Sequence, residues 1–309
     1  MECNKEPMLN IVKHRYLYFF ISLVVILPGI AALLFWGLPT GIDFTGGSLL
    51  EIKFESALPS SENVLEILTE FGFPDAKIQT AGDDKLIIRT KTMSEGAEAS
   101  ILAEIESRFK TNVVLDRFES VGPSIGKEVA QRAAGAVGLA ALGILAYITY
   151  AFRGVDHAFR YGAAAIMAML HDVILVLGVE SILGHFLGWE ADALFLTALL
   201  TVIGFSVHDS IVVFDRIREN ERLHRQLDYE TLVNHSIVQT LDRSINTQLT
   251  VMLTLLTLVL FGGNTIRHFV IILLIGVFSG TYSSIFNAAP ILVVWENKEW
   301  KTWFKRTPA

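Results

Sequence analysis

Tyr16 to Trp36 reads YLYFFISLVVILPGIAALLFW, 21 residues without a charge, and it directly follows Lys13, His14 and Arg15. As a helix rising 1.5 Å per residue, this run is about 32 Å long, enough to cross ~30 Å of hydrocarbon. A cleaved signal peptide shares the basic start, but its apolar core usually holds about 7–15 residues and ends at a small-residue site. This run instead closes on Trp36 and then Gly37-Leu38-Pro39, as an uncleaved span with an interfacial aromatic anchor does.

The rest of the chain repeats the pattern. Only 18% of the 309 residues are charged and 52% are hydrophobic. A soluble domain carries roughly 25% charged residues, so a wholly soluble protein is excluded. Five further apolar segments are expected to span, at about Val129–Phe152, Tyr161–Leu183, Ala193–Phe214, Thr247–Phe261 and His268–Pro290. With the N-terminus inside, the inside segments collect 14 basic residues, among them Arg15, Arg153, Arg160, Arg216, Arg218, Arg222, Arg225 and Arg243. The two short outside loops, around 184–192 and 262–267, hold only Arg267. Positive charge collects on the cytoplasmic side, so both termini are expected there. The organisation predicted is a cytoplasmic stretch 1–15, span one at 16–36, an exported domain at 37–128, spans two to six within 129–295, and a cytoplasmic tail at 296–309. Residues 215–242 form a cytoplasmic segment, expected to be helical and partly interfacial; headgroup contact, a hinge and a solvated helix all fit its arginines.

The exported stretch reads as a small folded domain. Gly41–Phe54 is strand-like after a glycine turn. Ser60–Phe71 starts Ser-Ser-Glu and has apolar residues at 64, 65, 67, 68 and 71, as an amphipathic helix does. Lys77–Thr90 is a hairpin turning at Gly82-Asp83-Asp84. Ser94–Phe109 is a second helix, apolar at 97, 101, 102, 105 and 109, and Asn112–Phe118 is a last strand. The order βαββαβ is that of the ferredoxin-like α+β fold. Residues 38–128 carry 16 acids and 9 bases, so the chain's net charge of −7 resides there. That balance argues against nucleic acid as a partner, which needs a basic face.

An ionisable group at the centre of a span costs at least ~2.5–3.5 kcal/mol and needs a reason. Span three holds His171-Asp172 at mid-depth and Glu180 near its outer end, and span four holds His208-Asp209. Asp209 lies about one turn inside the inner interface, and Arg243 begins span five from the same side, so the two are expected to meet. Arg243, Thr247, Thr250, Thr254 and Thr257 form a polar seam on one face of span five. Gly276, Gly280, Ser283 and Asn287 form another on span six, and Ser206, Asp209 and Ser210 share a face of span four. The seams serve either close helix packing or water leading to Asp209. Two readings follow: a static buried pair that fixes register, or a proton relay in which moving Arg243 loads and unloads Asp209. His171-Asp172, with His208, is a candidate second station or a packing element.

Other chemistries are absent. Gly122-Pro-Ser-Ile-Gly-Lys-Glu128 is one residue short of a P-loop and has Glu where Ser or Thr must meet magnesium. Adjacent His and Asp diverge by about 100° on a helix and no HExxH occurs, so no metal is expected. Cys3 is the only cysteine, which removes disulfides and Cys-based metal sites. No cofactor and no enzymatic activity are predicted. Gly41–Gly47 with Asp43 is read as a tight turn off the membrane.

The chain resembles the SecF family of the bacterial Sec protein-export machinery, within the resistance-nodulation-division (RND) superfamily. The resemblance runs nearly end to end, through Gly41-Ile-Asp-Phe-Thr-Gly-Gly47, Phe118–Glu128, His171-Asp172, Ala198–Asn220, Gln239-Thr-Leu-Asp-Arg-Ser244 and Gly280–Phe286. It implies a six-span half bundle in the bacterial inner membrane that pairs with SecD, associates with the SecYEG channel and with YajC and YidC, and uses the proton motive force after SecA to complete preprotein export. The family's proton-path acid and base map onto Asp209 and Arg243. The family's usual Asn before that acid is His208 here, which puts a titratable side chain beside Asp209. The alternative is a proton-driven RND exporter of small molecules or lipids, and six spans with one exported domain are only half of such a pump.

Overall fold

The computed structural model describes residues 9–55, 58–82, 84–94, 96–155 and 157–301, with the side chains of 264 and 265 left aside. Cys3, Asp83 and the tail beyond 301 lie outside these residues. The chain divides into a helical unit (1–39, 136–189 and 194–309) and a smaller unit (40–135 and 190–193).

The helical unit carries the spans. α1 (Arg15–Phe35), α5 (Pro123–Ala151), α6 (Ala158–Leu187), α7 (Ala193–Leu223), α8 (Tyr229–Phe261) and α9 (Asn264–Ser283) are long enough and apolar enough to cross a membrane. α9 continues through a π-helical turn, Ser284–Ala288, into α10 (Ala289–Glu296), and the three make up the sixth span. The helices outrun their apolar cores. The stretch 215–242 is not a separate element: α7 runs on to Leu223, and α8 starts at Tyr229 behind the Asp228 N-cap, whose side chain accepts from the Thr231 N–H at 3.0 Å. Apolarity marks what lies in hydrocarbon, whereas capping marks where helices stop.

α6, α7 and the sixth span are the buried helices, with half or more of each apolar window inside the unit, whereas few window residues of α1, α5 and α8 are covered. α1 crosses α6 at Gly29 and Gly178, where a Cβ built on Gly29 would stand 2.9 Å from the Gly178 Cα. Small residues at such a crossing let two backbones touch, the main source of helix attraction in lipid.

The smaller unit folds as the sequence order predicts. β1 (Gly47–Phe54), α3 (Ser61–Glu70), β2 (Lys77–Ala81), β3 (Lys85–Thr90), α4 (Ala97–Phe109) and β4 (Val113–Val121) form an antiparallel sheet in the order β2-β3-β1-β4. Alternation along β1 and β3 buries Leu50, Ile52, Phe54, Leu86 and Ile88 against Val64, Ile67 and Leu68 of α3 and Ile101 and Ile105 of α4. Each such side chain contributes about 1.5–3 kcal/mol on burial. Ser60 caps α3 through the Asn63 N–H.

The structure departs from the expected strand at Gly41–Phe54. Only Gly47–Phe54 is strand; Ile42–Thr45, here α2, is one helical turn, and Asp43 Oδ2 accepts the Ala193 N–H at 2.8 Å. The glycine pair makes the break, with φ of 75° at Gly46 and 134° at Gly47, values that favour glycine. Space also forbids a side chain: a Cβ on Gly126 would meet the Gly46 nitrogen at 2.6 Å. Gly126, the second glycine of the P-loop mimic, therefore serves close backbone packing. Phe71, expected on the apolar face of α3, is instead its exposed C-cap.

Candidate functional site

The centre of the helical unit is built from polar groups on α6, α7, α8 and α9. On α7, Asp209 is 2% exposed. Its Oδ2 accepts a hydrogen bond from Gln248 Nε2 of α8 at 2.5 Å. Ser210 Oγ donates to the Ser206 carbonyl at 3.1 Å, whereas the buried Ser206 Oγ has no partner. Ser206 lies against Gly280 of α9, where a Cβ would come 3.2 Å from the Ser206 Cα.

The expected contact between Asp209 and Arg243 is not made. Arg243 is exposed and, among the described residues, forms no ion pair. The reason is helical phase. Gln248 follows Arg243 by five residues, which turns it about 140° round α8, so a helix that brings Gln248 to Asp209 carries Arg243 on another face. His208 is exposed on α7.

The seam of α8 likewise points outward. Thr247, Thr250, Thr254 and Thr257 are exposed, and each hydroxyl donates to a carbonyl four residues back, at 2.8–3.0 Å. The buried polar face of α8 is a different one: Ser236, Thr240, Ser244 and Gln248, at strict four-residue spacing. That spacing was available in the sequence, and it was masked by the more conspicuous arginine–threonine row beside it.

The α6–α9 contact holds a second carboxylate. Asp172 is fully buried; Ser279 Oγ donates to Oδ1 and Ser283 Oγ to Oδ2, both at 2.6 Å. His171 Nδ1 stands 3.0 Å from Oδ1, so these neighbours meet despite the helical divergence expected of them. Asn287, in the π-helical turn, donates to Ser22 of α1 at 2.8 Å. Among the described residues no cluster of three or more metal-ligating side chains occurs.

At the end of the helical unit where α1 begins and α7 ends, Arg15 pairs with Glu230 at 3.1 Å and with Glu299 at 2.7 Å. Burial pushes the Glu299 carboxyl up, but hydrogen bonds from Arg15, Tyr16 and Asn297 outweigh it and hold the group below the usual range. At this arginine-rich end a cavity of about 500 Å³ is lined by Arg218, Arg222, His224, Arg225 and Tyr229.

Comparison with known proteins places this architecture. Residues 101–298 match the family described as protein export membrane protein SecD/SecF, C-terminal, and residues 37–57 match the SecD/SecF GG motif. The chain belongs to the SecD/SecF family. It is 57% identical over 301 residues to the protein translocase subunit SecF of Anaerolinea thermophila, covering 97% of this chain and 98% of that one. It is 49% identical to SecF of Thermobaculum terrenum, over 97% of this chain and 98% of the relative. The crystal structure of SecDF from Thermus thermophilus, titled a translocon-associated membrane protein, superposes with a TM-score of 0.82 at 35% identity. That match covers 94% of this chain but 39% of the longer SecDF chain. The SecD/SecF chain described here is thus a multi-pass membrane protein of the SecF type, a translocase subunit in protein export. The glycine pair that ends α2 is the family's GG motif, and its conformation and packing are those given above.

Proposed function

We propose that this chain acts with SecD to use the proton motive force to complete preprotein translocation through SecYEG after SecA has acted, with Asp209 as the proton-carrying group. The chain is proposed to sit in the bacterial inner membrane with both termini cytoplasmic, so the arginine-rich end faces the cytoplasm and residues 37–128 form the exported domain. SecDF relatives carry both halves in one chain, and this chain spans about a third of the Thermus thermophilus protein, which supports SecD as the partner. The outward threonine row on α8 and the uncovered surface of α5 are assigned to that partner.

The observation that carries the reading is Asp209 itself: a carboxyl 2% exposed inside a membrane unit, held by one neutral amide, Gln248. A buried ionised carboxylate is costly unless a cation meets it. Arg243, about five residues away on α8, is the nearest basic residue along that helix. Protonated, Asp209 rests against Gln248. On losing its proton it favours a movement of α8 that brings the Arg243 face round, and the next proton reverses it. One charge crossing 100 mV supplies about 2.3 kcal/mol, so a few protons suffice to reorient a domain.

The test is gradient-dependent export in inverted vesicles carrying Asp209→Asn, run in parallel proton and sodium gradients. Normal assembly with loss of the stimulation by the proton gradient is expected. Full gradient dependence in the assembled variant would sink the reading.

A further inference from the structure

Asp172 is not the only carboxylate between α6 and α9. Glu180 lies eight residues further along α6, about 12 Å toward the end opposite the arginine-rich one. It is fully buried. Its Oε2 stands 2.8 Å from Nε2 of His268, the fifth residue of α9. The His268 side chain keeps 20% of its surface exposed, and the Trp189 ring packs on it at 4.5 Å between centroids. Glu180 Oε1 is sealed from solvent and meets no protein donor.

The plain reading is a pin that holds α6 to α9. Asp172 shows what such a pin looks like on the same two helices: each oxygen has a serine donor and Oδ1 also meets a histidine. Glu180 is filled on one oxygen only, and its partner is a titratable ring that reaches the surface. Leaving a buried carboxylate oxygen unmatched is costly, and a pin does not require it. Inward of Glu180, His171 Nε2, Ser206 Oγ and Gln248 Oε1 are further buried polar atoms without a partner. Buried polar atoms of this kind are where bridging waters sit in proteins.

We propose that Glu180 and His268 form a one-proton loading station at the end of the bundle opposite the arginine-rich one, feeding the Asp209 site. The proposal rests on the proton-coupled reading above. Water on that side gives a proton to Nδ1 of His268. The Nε2–H bond then breaks as its proton binds Oε2 of Glu180, leaving a neutral imidazole and a neutral carboxylic acid. Inward release from the carboxyl regenerates the carboxylate, and His268, left as the Nδ1–H tautomer, gives that proton back to the water outside and takes one up on Nε2 before the next cycle. The other ionisable groups on the elements packed against α6 are Arg267 and Tyr282 on α9, Glu296 on α10 and Arg15, Tyr16 and Tyr18 on α1; α6 itself adds Arg160, Tyr161, His171, Asp172 and His185. Among the described residues none of these forms an ion pair with Glu180.

The experiment uses the full chain assembled with its SecD partner in proteoliposomes. Infrared difference spectra after a pH jump read the stretch of a protonated carboxyl, and gradient-driven export is measured while only the outer pH is varied. Glu180→Gln keeps a hydrogen-bonding amide against His268 and is expected to assemble, to lose the titrating carboxyl band and to lose the outer-pH dependence of export. His268→Gln is expected to lose that pH dependence while Glu180 keeps its place. An unchanged band and unchanged outer-pH dependence in Glu180→Gln would overturn the station. Asp209→Asn separates the two ideas: gradient dependence lost there but intact in Glu180→Gln defeats the station alone. Gradient dependence intact in both defeats the coupling reading itself.

Discussion

Replacing Ser283 by Ala should loosen the frame against which Asp209 is proposed to work, and the size of the effect follows from the bonding of Asp172. Oδ1 receives Ser279 Oγ at 2.6 Å and faces His171 Nδ1 at 3.0 Å, whereas Oδ2 receives Ser283 Oγ at 2.6 Å. Taking a donor away so that a buried oxygen is left unmatched costs about 1–3 kcal/mol. Ser283→Ala, which strips Oδ2 of its serine, is therefore expected near the upper end of that range. Ser279→Ala, which leaves Oδ1 with His171, falls near the lower end. At a factor of ten per 1.4 kcal/mol, the folded population relative to the unfolded drops by about 5- to 150-fold. The assay is reversible unfolding of the reconstituted chain in mixed micelles, as a double-mutant cycle with Asp172→Ala. Without the carboxylate, either serine substitution should cost no more than about 0.5 kcal/mol. Equal serine effects in the presence and absence of Asp172, or a larger effect at Ser279 than at Ser283, would refute the reasoning.

Gln248→Leu removes the donor that Asp209 uses. It should lower stability by about 1–3 kcal/mol and abolish gradient-driven export in assembled complexes. Thr247→Val, whose hydroxyl bonds its own helix on the exposed face, should move unfolding by under about 0.5 kcal/mol. Gly126→Val puts atoms where the Gly46 nitrogen already stands and should destabilise by about 1–3 kcal/mol in thermal melts of the purified chain, with Gly122→Ala milder because its surroundings are open. A pH effect is expected at Glu190, in the loop after α6. Arg89 Nε lies 2.9 Å from its Oε2 but is not aimed to hydrogen-bond, so burial prevails over Arg89 and Lys77 and holds the carboxyl above its usual range. The folded chain then holds a proton that the unfolded chain has lost. The stability of the smaller unit should therefore fall as pH rises from the ordinary glutamate range through the raised value, and Glu190→Gln should flatten that slope in pH-dependent melts.

The six spans and the βαββαβ order were legible because each rests on a periodicity that lipid or a two-layer core enforces: unbroken apolar runs, or alternation as in Leu50, Ile52 and Phe54. Helix ends were less legible. Arg216–Leu223 and Tyr229–Arg243 are polar yet helical, since nothing stops a helix at the membrane surface without a cap such as Asp228. The site was half legible. Asp209 stood out as a lone acid in an apolar run, but its partner depended on which of two neighbouring faces of α8 turned inward. Two polar rows one residue out of phase look alike in sequence, and packing chose Ser244 and Gln248 over Arg243 and Thr247. The Glu180–His268 contact joins residues 88 positions apart, and no local spacing announces it.

The most direct measurement is of proton movement itself. Proteoliposomes holding the assembled complex, with a pH dye inside and an imposed gradient, report proton flux while a preprotein is being translocated. A flux that rises with translocation in the unmodified complex and is lost in Asp209→Asn, with assembly intact, is what the account predicts. An undiminished, translocation-linked flux in the Asp209→Asn complex would contradict it.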